Sequence, residues 1–386
     1  MARIALIDNL NDIAGFADGR LLDCSAEQLL HAAGGNTGNL AFVLGTRRAI
    51  ADPVTVIGWG ADAAWVRQHF DQIVICCANQ IGAHVDLAPW ADRLAAFGLP
   101  ATLIGLGAQT TNFESEVAVP DGTRRFLATV AALRPRTGAP GIGVRGEFTR
   151  QVLARLDVDS AVIGCPSLFI SGEAQLGQAI LRRQPECVAP RVAAAAGNPY
   201  HATSAHLDAR LKALVEGSAG AFILQHTHVY LSYALDGDTP HNRERFDHLR
   251  HMFGPEETYA QALAWFRRHA YAFADCGHWL RFLGHYDYAL GPRYHGVALG
   301  VQAGIPGCVI AIDNRTRELS DTTGIKSVSI AEFDALAQEE ILPRLAWSAQ
   351  ECAAFDANRR RRGAAMRAFL EGNGIAPAGY VADCAD

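Results

Sequence analysis

A chain of 386 residues, 49% hydrophobic and 19% charged, has apolar side chains enough for two globular domains at about 100–200 residues each. Its net charge of −6 argues against non-specific binding to nucleic acid. No uninterrupted apolar stretch reaches the ~18 residues expected of a membrane-spanning helix.

The N-terminal run Met1 to Asp8 carries one basic residue and a short apolar core, so it reads as a first strand, not a signal peptide. Short β-branched runs then alternate with Ala/Leu-rich amphipathic stretches, the pattern of parallel βαβ units. Strands are expected at Ile4–Asp8, Val54–Gly58, Gln72–Cys77, Thr102–Leu106, Ile142–Val144 and Ala161–Ile163. Helices are expected between them at Gly38–Ile50, Asp62–Phe70, Leu87–Phe97, Thr123–Leu133 and Glu147–Leu156. The strands are nearly all apolar because helices cover both faces of a parallel sheet.

Gln, Arg and Pro interrupt the pattern around Gly172–Pro190, which marks a linker. A second set follows, with strands at Arg191–Ala196, Ala221–Leu224, Tyr286–Leu290 and Gly307–Ala311. Its helices are Ser204–Glu216, Tyr259–Tyr271 and Tyr294–Ala303, and Val229–Pro255 reads as a loop over a cleft with a short helix. Ser348–Glu371 reads as one long helix that packs back on the first domain. The expected organisation is a Rossmann-like domain at 1–175, a second at 188–335 and a helical tail at 336–386. The fold class is α/β, with two parallel sheets facing across a cleft.

The nine cysteines are scattered, with no Cys-x-x-Cys pair, and fit free thiols in a reducing cytoplasm. Cys76 and Cys77, adjacent in a strand, must point to opposite faces. Cys165, in a loop, is the thiol nearest the expected chemistry. The basic run Arg359 to Arg362 reads as a solvated helix face.

Ligands of open parallel sheets bind beyond the carboxyl ends of the strands, so the residues that follow strands carry the information. Gly34 to Leu40 opens a helix, where glycines permit close approach. Asn36 and Asn39 offer amides to a phosphate or a sugar hydroxyl, or else cap the helix. This is neither a G-x-G-x-x-G fingerprint nor a Walker A loop. Gly105 and Gly107 make room for Gln109 to face the cleft. Arg145, at a strand end before a helix, suits a carboxylate or phosphate clamp, or a pair with Glu147. Gly164 to Phe169 forms an exposed turn with Ser167. Asn198 follows one strand, and Gln225, His226 and His228 follow the next. His226 and His228, two apart on an extended segment, share a face, and a hydrogen-bonding or general-base role fits them better than a metal pair. Gly291-Pro292-Arg293-Tyr294-His295-Gly296 places Arg293 and His295 at the N-terminus of a Gly/Ala-rich helix, where an anion meets dipole, guanidinium and imidazole together. After the next strand, Arg315 or Arg317 could hold phosphate and Glu318 a hydroxyl.

Taken in order, these pieces resemble the polysaccharide pyruvyl transferase family. The likeness rests on Gly-Asn-x-Gly at Gly35–Gly38, Gly105-Leu106-Gly107, Val144-Arg145-x-x-Phe148-Thr149, Gly164-Cys165-Pro166-Ser167, Arg293-x-His295-Gly296 followed by Ala303-Gly304-Ile305-Pro306, and Arg317-Glu318-Leu319. It runs from about Gly34 to Ile325. Asn39 is a departure, since the family commonly carries an acidic residue there.

The resemblance implies a GT-B-like fold, phosphoenolpyruvate as donor and a sugar as acceptor, with no cofactor or metal. Arg293 and His295 would hold the donor's phosphate and carboxylate, with Arg145 as a further anion contact. Gly35, Asn36, Gly38, Asn39, Gln109, Asn198, Arg317 and Glu318 stand as substrate contacts. His295, His226 and His228 are candidates for proton transfer. Self-association and peripheral contact with a lipid-linked glycan stay open. A nucleotide-sugar glycosyltransferase and a non-catalytic binding protein are the alternatives, and a dehydrogenase lacks its fingerprint.

Overall fold

The computed structural model describes residues 1–11, 24–110, 116–135, 137–184 and 190–384. The first sheet holds β1 (Ile4–Ile7), β2 (Val54–Val56), β3 (Gln72–Cys76), β4 (Ala101–Leu106), β5 (Ile142–Val144) and β6 (Ala161–Val162), in the order β2-β1-β3-β4-β5-β6. The second holds β7 (Val192–Ala195), β8 (Ala221–Leu224), β9 (Ala270–Ala272), β10 (Tyr288–Gly291), β11 (Gly307–Ala311) and β12 (Ser327–Ser329), in the order β12-β11-β10-β7-β8-β9. All pairings are parallel. Strand order reverses direction between β1 and β3 in the first sheet and between β7 and β10 in the second. These two switch points are where crevices open in doubly wound sheets.

Every residue of β1, β3, β4, β7, β8, β10 and β11 is buried, in keeping with their nearly all-apolar sequences. Cys76 and Cys77 do face opposite ways: Cys76 lies in a cluster shared by the inner faces of both sheets, and Cys77 in the outer core of the first. The shared cluster joins Leu6 and Val74 of one sheet to Ala193 and Val309 of the other, through the helices Asn39–Ala49 and Tyr294–Gln302. The second sheet has its own outer core.

Two segments cross between these bodies. Helix Ala26–Ala32 starts in a reciprocal cap between Ser25 and Gln28, and its Ala26 and Leu29 sit in the second sheet's outer core. The Ala26 amide donates to Asp236 Oδ1 at 2.9 Å. The tail helix Ala349–Gly372 packs back on the first domain, as expected. Its Asp356 carboxylate accepts the Gly177 and Gln178 amides at 2.6 and 3.1 Å, a negative charge at the N-terminus of helix Leu176–Arg183. That helix occupies the stretch expected to be a linker.

Several expectations need correction. Arg359 is not on a solvated face. It is fully buried, donates to the carbonyls of Leu168, Ser171 and Glu173 and lies 3.7 Å from the Tyr380 ring centroid. Val229–Pro255 is not a loop over the cleft. It forms helices His228–Leu235 and Pro240–Glu244 and a 3-10 turn at Phe246–Leu249, whose Tyr230, Tyr233 and Phe246 fill the second outer core. The helix that starts at Tyr259 ends at His269, because Ala270–Ala272 pairs as edge strand β9. Among the described residues no helix is long and apolar enough to cross a membrane.

Candidate active site

The carboxyl ends of both sheets open onto one cavity of about 620 Å³. From the first sheet it is lined by Asn9 after β1, Asn79 after β3, Gln109 and Thr110 after β4, and Arg145 after β5, together with the Gly34–Asn39 loop. The second sheet supplies Asn198 and His201 after β7, Gln225 and His226 after β8, Arg293 and His295 after β10, and Asp313 and Arg315 after β11.

The Gly34–Asn39 loop owes its path to glycine. Gly34 sits at φ +62°, and a Cβ there would fall 1.8 Å from the Asn9 carbonyl oxygen. Thr37 N–H donates to the Gln225 carbonyl at 2.9 Å, tying the loop to the second domain. Gly38 and Gly296 flank the Gln225 amide so closely that a Cβ at either would approach it to 2.8 or 2.5 Å. Gly38 N–H donates to Asn36 Oδ1 at 2.8 Å, and the amides of Asn39 and Leu40 bond back to Asn36 and Thr37. These amides are already engaged, so the loop presents side chains to the cavity. Asn39 Nδ2 donates to the carbonyls of Ala33 and Gly34 at 2.9 and 3.3 Å. A carboxylate could not donate there, so in this chain position 39 needs an amide.

Arg145 is 2% exposed. Its Nε donates to Gly105 O at 2.6 Å, Nη2 to Cys77 O at 2.9 Å and Nη1 to Asn79 Oδ1 at 3.1 Å. Gly105 sits at φ +81° where the β4–β5 register shifts, a bulge in β4. Burial holds the Arg145 guanidinium below the usual arginine range. It does not pair with Glu147, which bonds Arg150 instead.

Arg293 occupies the N-cap position of helix Tyr294–Gln302, its side chain making no capping bond. Its Nη2 donates to Gly197 O at 3.4 Å and to His226 Nδ1 at 3.3 Å, while its buried Nε–H has no partner. Burial and the nearby Arg315 push its pKa down to about 10. Arg315 reaches Asp313 at 3.1 Å, and its buried Nε–H is likewise unpartnered. Burial pushes the Asp313 carboxyl up, but Arg315 and the Thr316 amide and hydroxyl hold it below the usual carboxylate value.

These cations control the imidazoles. Burial, Arg293 and Arg315 push His226 down to about 4. Because guanidinium can only donate, His226 Nδ1 is the acceptor, and the neutral ring carries its proton on Nε2. Burial, Arg145 and Arg315 hold His295 well below the ordinary histidine value. His295 Nε2 lies 3.5 Å from Cys165 Sγ, which is 3.1 Å from Ser167 Oγ. The buried thiol thus stands against the cavity histidine.

Of the residues picked from sequence, Gly35, Asn36, Asn39, Gln109, Arg145, Asn198, His226, Arg293 and His295 line the cavity, and Gly38 packs beside it. Three do not reach it. His228 does not share a face with His226: Thr227 at φ +71° turns the chain, and His228 starts a helix with its ring against His241. Glu318 is buried between the domains, where its carboxylate accepts the Thr149 amide at 2.7 Å and hydroxyl at 2.9 Å. Arg317 lies with it on a separate hollow of about 200 Å³ beside Glu147 and Phe148. Asn9, Asn79, His84 and Asp313 were not singled out from sequence. Asn79 and His84 sit in an irregular turn after β3 with a single glycine, Gly82, and the Asp313 signal was its position after β11. Among the described residues no group of three or more His, Cys, Asp or Glu side chains is placed to hold a metal ion.

Two Rossmann-like domains that meet at their strand ends over a cavity with three arginines define a GT-B-like α/β protein. The chain belongs to the polysaccharide pyruvyl transferase family, whose sequence pattern it matches over residues 36–314, and it is accordingly a transferase. No curated protein sequence matches it. Solved structures similar over nearly its whole length include Anabaena HepE in complex with UDP and glucose, at 12% identity, 97% of this chain, 98% of that chain and TM-score 0.42. They also include S. aureus MnaA with UDP, at 11% identity, 98% and 99% coverage and TM-score 0.47. A putative UDP-N-acetylglucosamine 2-epimerase from Listeria monocytogenes follows, at 12% identity, 96% and 97% coverage and TM-score 0.45.

Proposed function

We propose that the chain transfers the pyruvyl group of phosphoenolpyruvate to two hydroxyls of a sugar in a polysaccharide or its precursor, forming a ketal. The observation that carries this reading is the pair of buried, unpartnered Nε–H donors of Arg293 and Arg315 at one cavity. Buried donors are seldom left unpaired, and a ligand with a phosphate and a carboxylate would satisfy both.

The reaction needs a proton delivered to the donor's methylene carbon, which becomes a methyl group and leaves positive charge on the carbon bearing phosphate. A sugar hydroxyl attacks that carbon while a base takes its proton, which replaces the one spent on the methylene carbon. The carbon–oxygen bond to phosphate breaks, and a second hydroxyl closes the ketal, its proton leaving with the phosphate. Arg293 and Arg315 stabilise the departing phosphate. His226, with its proton on Nε2, donates a hydrogen bond to the ligand. His295, which lines the cavity with its ring held neutral, is the base. The amides of Asn9, Asn36, Asn79 and Gln109 on the opposite side suit sugar hydroxyls.

Thermal melting with phosphoenolpyruvate, and in parallel with nucleotide sugars, tests the reading. A ligand at 100 times its Kd adds about 2.7 kcal/mol. A melting shift with phosphoenolpyruvate that disappears in Arg293→Ala supports pyruvyl transfer. A shift with a nucleotide sugar alone overturns it in favour of glycosyl transfer.

A further inference from the structure

Behind Arg293 lies a carboxylate that the reaction scheme leaves unused. Asp208, in the first turn of helix Leu207–Gly217, is fully buried. Its Oδ1 accepts the Gly197 amide at 2.7 Å and its Oδ2 the Tyr230 hydroxyl at 2.6 Å. The Tyr230 oxygen lies 3.0 Å from His251 Nε2. Among the described residues no cation forms an ion pair with Asp208. The Gly197 carbonyl, the other end of the residue whose amide Asp208 holds, accepts from Arg293 Nη2. A side chain at position 197 would break this approach, since its Cβ would stand 2.9 Å from Asp208 Oδ1.

Burying a carboxylate without a cation is costly unless something compensates it. Here a buried carboxylate and a buried guanidinium are joined only through the backbone of one glycine. A direct ion pair would occupy the guanidinium fork. Coupling through the backbone gives Arg293 a counter-charge while its Nε–H keeps no protein partner. We propose that Asp208 is a positioning residue that holds Arg293 in place through Gly197 and leaves its Nε–H unspent for the anionic part of the donor substrate. This rests on the reading of Arg293 as the donor's anion contact. The groups facing Asp208 are the Gly197 amide, Tyr230 with His251 behind it, and at longer range Arg293 and His206. Burial outweighs them and brings the carboxyl up to about 6.

Two measurements on the full chain test the proposal. The first needs no ligand. The Asp208 carboxyl is titrated by NMR with carbon-13-labelled aspartate, its resonance being the one missing in Asp208→Asn. Its midpoint should rise by about one pH unit in Arg293→Gln and by less in Arg293→Lys, which keeps the charge. An unchanged midpoint in Arg293→Gln overturns the proposal.

The second compares Asp208→Asn, which keeps the shape and the acceptor for Gly197, with the unaltered chain. KM for phosphoenolpyruvate should rise about tenfold at neutral pH while kcat falls far less, and the melting temperature should hold or rise. The unaltered chain should lose affinity as the pH falls through about 6, and Asp208→Asn should lack that limb. A drop in melting temperature with kcat and KM both impaired marks a merely structural residue and overturns the proposal. Failure of the unaltered chain to bind phosphoenolpyruvate strikes the donor reading instead, and the ligand-free titration still decides whether Asp208 and Arg293 are coupled.

Discussion

Arg145 and Arg293 line the same cavity from opposite domains, both in residues that follow a strand, and they do different work. Arg145 spends its donors on Gly105, Cys77 and Asn79, so it fastens the turns after β3 and β4 to each other. Arg293, like Arg315, keeps a buried donor with no protein partner. A buried arginine is a brace or an anion site according to what its N–H groups already hold, and position in the chain does not distinguish the two.

The largest effect that would break this contrast is on catalysis. Arg293→Ala should lower kcat/KM by about a thousandfold with only a small loss of melting temperature, since the protein gives up two long hydrogen bonds and the counter-charge of Asp208; a large drop in stability would erase the distinction. Arg145→Met should do the reverse in kind. It strands three buried acceptors and should cost about 3 kcal/mol of stability, measured by denaturant unfolding. Arg315→Ala should cost about tenfold in donor affinity, less than Arg293→Ala because Asp313 already shares its charge; calorimetric titration with phosphoenolpyruvate would show it.

The field of the two open arginines has its own signature in pH. His226 titrates near 4 in the folded chain, against about 6.5 unfolded. The unfolded chain therefore binds more protons between these values, and stability falls as pH drops from about 6.5 to 4. His226→Gln should flatten that part of a melting-temperature profile, and Arg293→Ala should move the His226 midpoint, followed by NMR, back upward.

Much of the fold was legible because buried parallel strands need continuous apolar runs, and those runs fall within a residue or two of the observed β3, β4, β5, β8 and β11. The edge strands β9 and β12 were not, because Ala270-Tyr271-Ala272 and Ser327-Val328-Ser329 are three residues long and only partly buried. Helix Ala26–Ala32 was not, because its packing partner lies some two hundred residues on, at His228–Leu235. In the site, Gln109, Arg145, Asn198, His226 and Arg293 were found by their position after a strand. The failures came where local geometry intervened. The positive φ at Thr227 turned His228 away. The helix starting at Asn314 sends Arg315 to the cavity and Arg317 elsewhere. Asp208 was invisible because an acid in a first helical turn is ordinary dipole chemistry.

The exchange of segments between the two bodies bears on how this protein can be divided. Residues from near the start of the chain complete the outer core of the second sheet, and the final helices close over the first. A cut between the sheets would leave one fragment without its closing helices and the other without Ala26 and Leu29. Such fragments should be insoluble alone yet recover structure when expressed together, and swapping either half between relatives would require moving the chain termini with it.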